Sequence, residues 1–132
     1  MKRFVVIGLG NFGSSVAEAL HASGHEVVAL DVNAAAVDRI APNVTRAAVG
    51  DGKQIGTLER AGAKGADIGV VSTGDDITAS ILSTMALRDL GVREIYVKVV
   101  SGDHARVMEK IGLRHHPDED FDQALADLRP QV

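Results

Sequence analysis

A chain of 132 residues, 45% of them hydrophobic, has room for one compact domain and none for a second, substrate-specific one. Its formal net charge of −4, with the basic residues scattered, provides no footprint for nucleic acid or an anionic lipid surface, and neither is expected as a partner. Cysteine is absent, which removes disulfides, thiolate nucleophiles and cysteine-based zinc sites and fits a reducing compartment.

The N-terminal "MKRFVVIGLG" starts with charge, but its apolar stretch runs straight into glycines without a small-residue cleavage site. It reads as a first strand, Phe4 to Ile7, and no apolar run reaches the ~20 residues of a membrane span, so lipid insertion is not expected. Gly8, Gly10 and Gly13 follow as G-x-G-x-x-G. The first glycine permits a tight turn, the second admits a pyrophosphate to the backbone, and the third lets the next helix pack closely on the sheet. That helix carries Phe12, Val16 and Leu20 on one face and ends near Gly24; His21 and His25, at its end and in its turn, read as solvated. The helix N-terminus then faces the phosphates with unpaired N–H groups and the positive end of its dipole.

The second strand, Glu26 to Leu30, delivers Asp31, 18 residues beyond Gly13, where a carboxylate accepts from both ribose hydroxyls and repels a 2′-phosphate. Asn33, before Ala34 to Ala36, reads as a helix N-cap. A third strand, Thr45 to Val49, leads to Asp51, which suits either an adenine contact or ordinary turn chemistry in "GDG". A fourth, Ile68 to Ser72, leads into "STGDD". There Thr73 and Gly74 approach a ligand, and Asp75 or Asp76 caps the longest helix, whose residues Ile77, Ile81, Met85 and Leu90 should pack on the sheet before Gly91 ends it. A fifth strand spans Ile95 to Val99. The near-continuous hydrophobicity of these strands is that of a parallel sheet covered on both faces, so the fold class is α/β, a Rossmann-like doubly wound single domain. After Gly112 the rhythm weakens to a short strand near Arg114 to His116 and a helix from about Asp120 to Leu128.

Several stretches resemble, in order and at family spacing, the KTN domain, or RCK N-terminal domain, of bacterial potassium-uptake regulators of the Ktr and Trk type. They are "FVVIGLGNFGSSVAEAL", "GHEVVALDVN", "TGDDITASILSTMALRDLG", "IYVKV" and "HARVMEKIG". The resemblance covers roughly Lys2 to Asp120, which implies a nucleotide-binding domain of residues 1–120, with 121–132 as a C-terminal helical tail and the family's C-terminal ligand-binding domain absent. It implies a cytoplasmic regulatory subunit that binds ATP, ADP or NAD(H) without turnover and gates a membrane-embedded potassium translocation subunit. Such domains form homo-oligomers, dimers and rings, peripheral on the inner face of the membrane through that partner.

Carried over by motif, Gly8, Gly10 and Gly13 hold the phosphates and Asp31 the ribose, with Asn11, Phe12, Val32 and Asn33 beside them in the cofactor-binding set. Asp51, Thr73 and Gly74 line the adenosine site, and Lys98 points toward the phosphates or across a dimer interface. Asp118, after His115, His116 and Pro117, stands where the family places a carboxylate for a divalent cation at a subunit interface. Asn11 occupies a position that often holds Arg in the KtrA-like pattern and offers hydrogen bonds without the full charge. Asp118 is one methylene shorter than the family's Glu.

The alternative is a small NAD-dependent oxidoreductase or its cofactor-binding fragment. Hydride transfer needs an acid or base positioned over the nicotinamide, and the five histidines form no such constellation by spacing. His104 stands alone before a late helix, and His115 and His116 are adjacent, so they point to opposite sides of a strand. G-x-S-x-G, Walker-type and H-E-x-x-H motifs are also absent from the sequence, and a non-enzymatic switch is the reading preferred.

Overall fold

The computed structural model describes residues 1–110. The expected strand near Arg114 to His116, the tail helix from Asp120 and the candidate ligand Asp118 lie outside the described residues.

Among the described residues, five strands alternate with five α-helices. They are β1 (Arg3–Ile7), α1 (Asn11–Ala22), β2 (Glu26–Asp31), α2 (Ala34–Ile40), β3 (Arg46–Val49), α3 (Ile55–Ala61), β4 (Ile68–Val71), α4 (Ile77–Asp89), β5 (Glu94–Val97) and α5 (Gly102–Lys110). All strand pairs are parallel, in the order β3-β2-β1-β4-β5. The order reverses beside β1, where β2 flanks it on one side and β4 on the other, and this reversal opens a crevice at the carboxyl ends of the strands. The expected doubly wound single domain is thus the one observed, with strand boundaries differing only at their ends.

Alternation along each strand divides the core into two layers. Phe4 and Val6 of β1 point toward α1 and α2, where they meet Val16, Leu20, Val37 and Ile40. Val5 and Ile7 point to the other face, against Leu58, Leu87 and Met108. Each such side chain, fully buried, contributes about 1.5–3 kcal/mol of transfer free energy, so β1, buried through Phe4, Val5, Val6 and Ile7, anchors both layers. Among the described residues no helix is long and apolar enough to cross a membrane.

Helix ends follow their local chemistry. Asn33 caps α2, its Oδ1 accepting from the Ala35 N–H at 2.9 Å and the Ala36 N–H at 3.2 Å. Asp76 caps α4, accepting from the Ala79 N–H at 3.0 Å. Beyond the ends of α1 and α4, Gly24 and Gly91 take positive φ values of 95° and 89°.

Three expectations fail. The face of α4 turned to the sheet is formed by Ser80, Ser83, Thr84 and Leu87, not by Ile77, Ile81, Met85 and Leu90. Ile81 and Leu90 only edge the core, and Met85 is 48% exposed. The cause is close approach: Ser83 Oγ lies 3.3 Å from where a β-carbon on Gly52 would stand, so this helix face must be small. Two of its hydroxyls are hydrogen-bonded, Thr84 Oγ1 donating to the Ser80 carbonyl at 2.7 Å and Ser80 Oγ meeting His104 Nε2 at 2.9 Å.

His25 is the second correction, because it is buried while His21 is exposed. The turn after α1 folds it under the amino end of the sheet, where its Nδ1 accepts from the Lys2 N–H at 3.0 Å and its ring meets Phe4 edge-on. Third, β3 is an edge strand with Arg46 and Val49 exposed, so its apolar run is not covered on both faces.

Candidate nucleotide site

The loops that leave β1, β3 and β4 are fastened to their neighbours by extensions of the sheet ladder. The Gly8 N–H donates to the Leu30 carbonyl at 2.9 Å, the Gly50 N–H to the Asp31 carbonyl at 2.9 Å and the Ser72 N–H to the Ile7 carbonyl at 2.8 Å. Between them lies a cleft of about 360 Å³. It is lined by Gly8, Gly10, Asp31, Val32, Asp51, Thr73 and Gly74 from the expected set, together with Ile7, Leu30, Gly50, Gly52, Lys53, Ser72, Asp76, Ala79 and Ser83.

The glycine turn is built around close backbone approach. Gly8 has φ +97°, and a β-carbon on it would fall on the Ser72 carbonyl; one on Gly13 would fall on the Gly8 carbonyl. Gly10 meets nothing within 4 Å in that position, and it lines the cleft. Gly10 is also the N-cap of α1; it makes no side-chain cap and the first turn carries no acidic residue. The helix therefore brings its positive end to the cleft wall, where an anion is favoured.

Asp31 binds two of these loops together. Its Oδ2 accepts from the Leu9 N–H at 2.6 Å and its Oδ1 from the Asn33 N–H at 2.8 Å, which fixes the carboxylate at the tip of β2 above the glycine turn. A carboxylate oxygen has a second lone-pair direction, so the fixed group retains acceptor capacity for a diol. Val32, 69% exposed, stands beside it on the cleft wall.

At the β3 end, Asp51 Oδ1 accepts from the Lys53 N–H at 2.9 Å and Asp51 Oδ2 lies 3.6 Å from Lys53 Nζ. The sequence reading passed over Lys53. The signal was present in "GDGK", where a cation two residues beyond the strand-closing acid folds back upon it. At the β4 end, Thr73 Oγ1 donates to the Asp76 carbonyl at 3.0 Å, and Asp76 both caps α4 and lines the cleft.

The remaining candidates stand outside the cleft lining. Asn11 borders a separate groove between α1 and α2 with Ser14, Ser15, Glu18 and Arg39. Asn33 spends its side-chain oxygen on the α2 cap. Gly13 lies beneath Gly8, and the Phe12 ring carries Lys98 Nζ at 4.3 Å from its centroid. Lys98 thus rests on the glycine-turn helix, and its own N–H extends β5 by donating to the Val71 carbonyl at 2.9 Å. Among the described residues no group of three or more His, Asp or Glu is placed to hold a metal ion.

Comparison with known proteins adds to this geometry. The TrkA-N domain family model matches residues 4–116. Ktr system potassium uptake protein C of Bacillus subtilis (strain 168) is 39% identical over 127 residues, covering 95% of this chain and 58% of that protein. Ktr system potassium uptake protein A of the same organism is 37% identical over 127 residues, covering 95% and 57%. The chain therefore spans a little over half the length of these relatives. The solved TrkA-N domain of the inner membrane protein ybaL from Escherichia coli superposes with a TM-score of 0.76 at 18% identity, covering 98% of this chain and 96% of that one. The NAD(P)-binding domain of an exopolyphosphatase-related protein from Archaeoglobus fulgidus gives 0.76 at 22% identity, with 96% of each chain covered. At those identities the two structures speak for the fold alone.

Proposed function

The chain belongs to the TrkA-N domain family, and from that premise we propose that it is the nucleotide-binding regulatory domain of a potassium-uptake system. It takes ADP, ATP or NAD(H) in the cleft and conveys the ligand's identity to a membrane-embedded translocation subunit, which holds it at the cytoplasmic face. The observation that carries this reading is the Asp31 clasp: a carboxylate fixed by the Leu9 and Asn33 amides over a glycine turn that opens on a helix N-terminus. Ribose hydroxyls and phosphates, in that order along the cleft, are what such a pair of groups recognises. The names of the relatives supply the physiological context, potassium uptake.

A switch needs no chemistry on its ligand, only different affinities in two states. The oxidoreductase alternative needs a proton donor beside a nicotinamide and a pocket for a second substrate. The buried histidines stand elsewhere, His25 at the amino end of the sheet and His104 beneath α4.

Calorimetric titration with ADP, ATP, NAD⁺, NADH and NADPH, with and without Mg²⁺, tests the reading. ADP, ATP or NAD(H) should bind, and NADPH should bind more weakly than NADH because Asp31 opposes a 2′-phosphate. Absence of binding by every nucleotide would overturn it.

Assembly into homo-oligomers is part of the proposal, and the outer face of α4 is its contact surface. Leu82 is 44% and Met85 48% exposed, adjacent on that face at a spacing of i and i+3. The unsubstituted chain should scatter light as a dimer or larger, and the double variant Leu82→Glu/Met85→Glu should shift to monomer with its far-ultraviolet circular dichroism unchanged. A monomeric unsubstituted chain at micromolar concentration, with and without nucleotide, removes this part of the reading.

A further inference from the structure

We propose that Lys53 and Asp51 together read the edge of the base, and that Lys53 opens the cleft to guanine, a 6-oxopurine, as well as to adenine. The inference rests on the reading above that the cleft holds a nucleotide with its phosphates at Gly10. The base then lies toward the loop after β3, where these two residues form part of the wall.

The Watson–Crick edges of adenine and guanine are opposites. Adenine presents a 6-amino donor beside the N1 acceptor; guanine presents a 6-oxo acceptor beside an N1–H donor. A carboxylate alone serves adenine through its amine and guanine through N1–H and the 2-amino group, but it leaves the guanine 6-oxo oxygen without a donor. An ammonium beside that carboxylate supplies that donor while the carboxylate accepts from N1–H.

The structure supplies this pair. Asp51 Oδ1 is held by the Lys53 N–H, which leaves Oδ2 on the side of Lys53 Nζ at 3.6 Å. The separation is longer than a close charge-assisted hydrogen bond, so the two heads can each turn to a third polar group. Both side chains are partly exposed, Lys53 at 33% and Asp51 at 37%, and remain accessible to a ligand. The ammonium sits on a flexible stem with rotatable donors, so it can turn to the 6-oxo oxygen of guanine. The backbone bond from Lys53 to Asp51 does not depend on the lysine side chain, so substitution there leaves the loop fastened.

The test is calorimetric titration of the full chain with ADP and GDP, with ADP competition to establish a shared site. GDP should bind within about tenfold of ADP and be displaced by it. Lys53→Met should lower the GDP-to-ADP affinity ratio at least about tenfold, the loss expected of one charge-assisted hydrogen bond, and Lys53→Arg should restore most of it. ADP binding with GDP weaker by more than about tenfold overturns this inference and leaves the nucleotide reading standing. An unchanged ratio in Lys53→Met, with the variant's melting intact, overturns the role of Lys53. If neither nucleotide binds, the underlying reading fails and this inference fails with it.

Discussion

Gly13→Ala is expected to lower the stability of the fold by about 3 kcal/mol or more, at or above the upper end of ordinary overpacking costs. The added β-carbon would fall on the backbone carbonyl of Gly8, which is held in turn by the bond from the Gly8 N–H to Leu30. A clash with a side chain can be relieved by rotation, but this one requires α1 to lift from the sheet. A domain of this size has a total stability of only about 5–15 kcal/mol, so the loss should appear as a clear fall in the urea midpoint and in the melting temperature. Gly10→Ala is the informative contrast. Gly10 has φ −68°, and nothing lies within 4 Å of the position its β-carbon would take, so stability should change by no more than about 1 kcal/mol. Gly10 lines the cleft, and on the proposed nucleotide reading a phosphate comes close to it, so nucleotide affinity should fall in Gly10→Ala. Equal stability losses in the two variants would show that the glycine turn is not organised in this way.

The glycine spacing was legible because each of those residues answers a local demand of the strand–turn–helix junction. The parallel sheet was legible for a similar reason: uninterrupted apolar runs such as "FVVI" and "EVVAL" make sense only under helices on both faces. The face of α4 was not legible, because the sequence pattern marks where apolar residues fall and not how near the neighbouring chain comes. Gly52 brings the β3 loop against that helix, and only small side chains such as Ser83 fit there. His25 escaped for a related reason, since a histidine after a helix-ending glycine looks solvated until the return strand is seen to fold over it. Lys53 was missed because its partner, Asp51, was weighed alone. The cleft reads as a set of strand-end residues in sequence, but the cation that completes one of its walls belongs to a loop.

Asp31→Ala should separate the two roles this residue combines. In the structure its carboxylate braces the glycine turn through the Leu9 N–H at 2.6 Å and the start of the α2 loop through the Asn33 N–H at 2.8 Å. The Leu9 bond is partly buried and the Asn33 bond exposed, so water replaces the second readily and the first poorly. The stability loss should therefore be about 1–3 kcal/mol, dominated by Leu9. Loss of ribose contacts should weaken ADP or NADH binding by about 1.5–3 kcal/mol beyond that, roughly 10- to 150-fold in Kd, measured by titration at a temperature where the variant is fully folded. Asp31→Asn separates charge from shape: one oxygen remains for the Leu9 amide, but the charge that opposes a 2′-phosphate is gone, so NADPH should gain on NADH. A variant that loses stability while keeping its nucleotide affinity and its preference for NADH would make Asp31 a brace for the loops and nothing more. A variant that loses affinity and preference together would place the ribose at β2, because a loop brace has no means of sensing a phosphate on the 2′-oxygen.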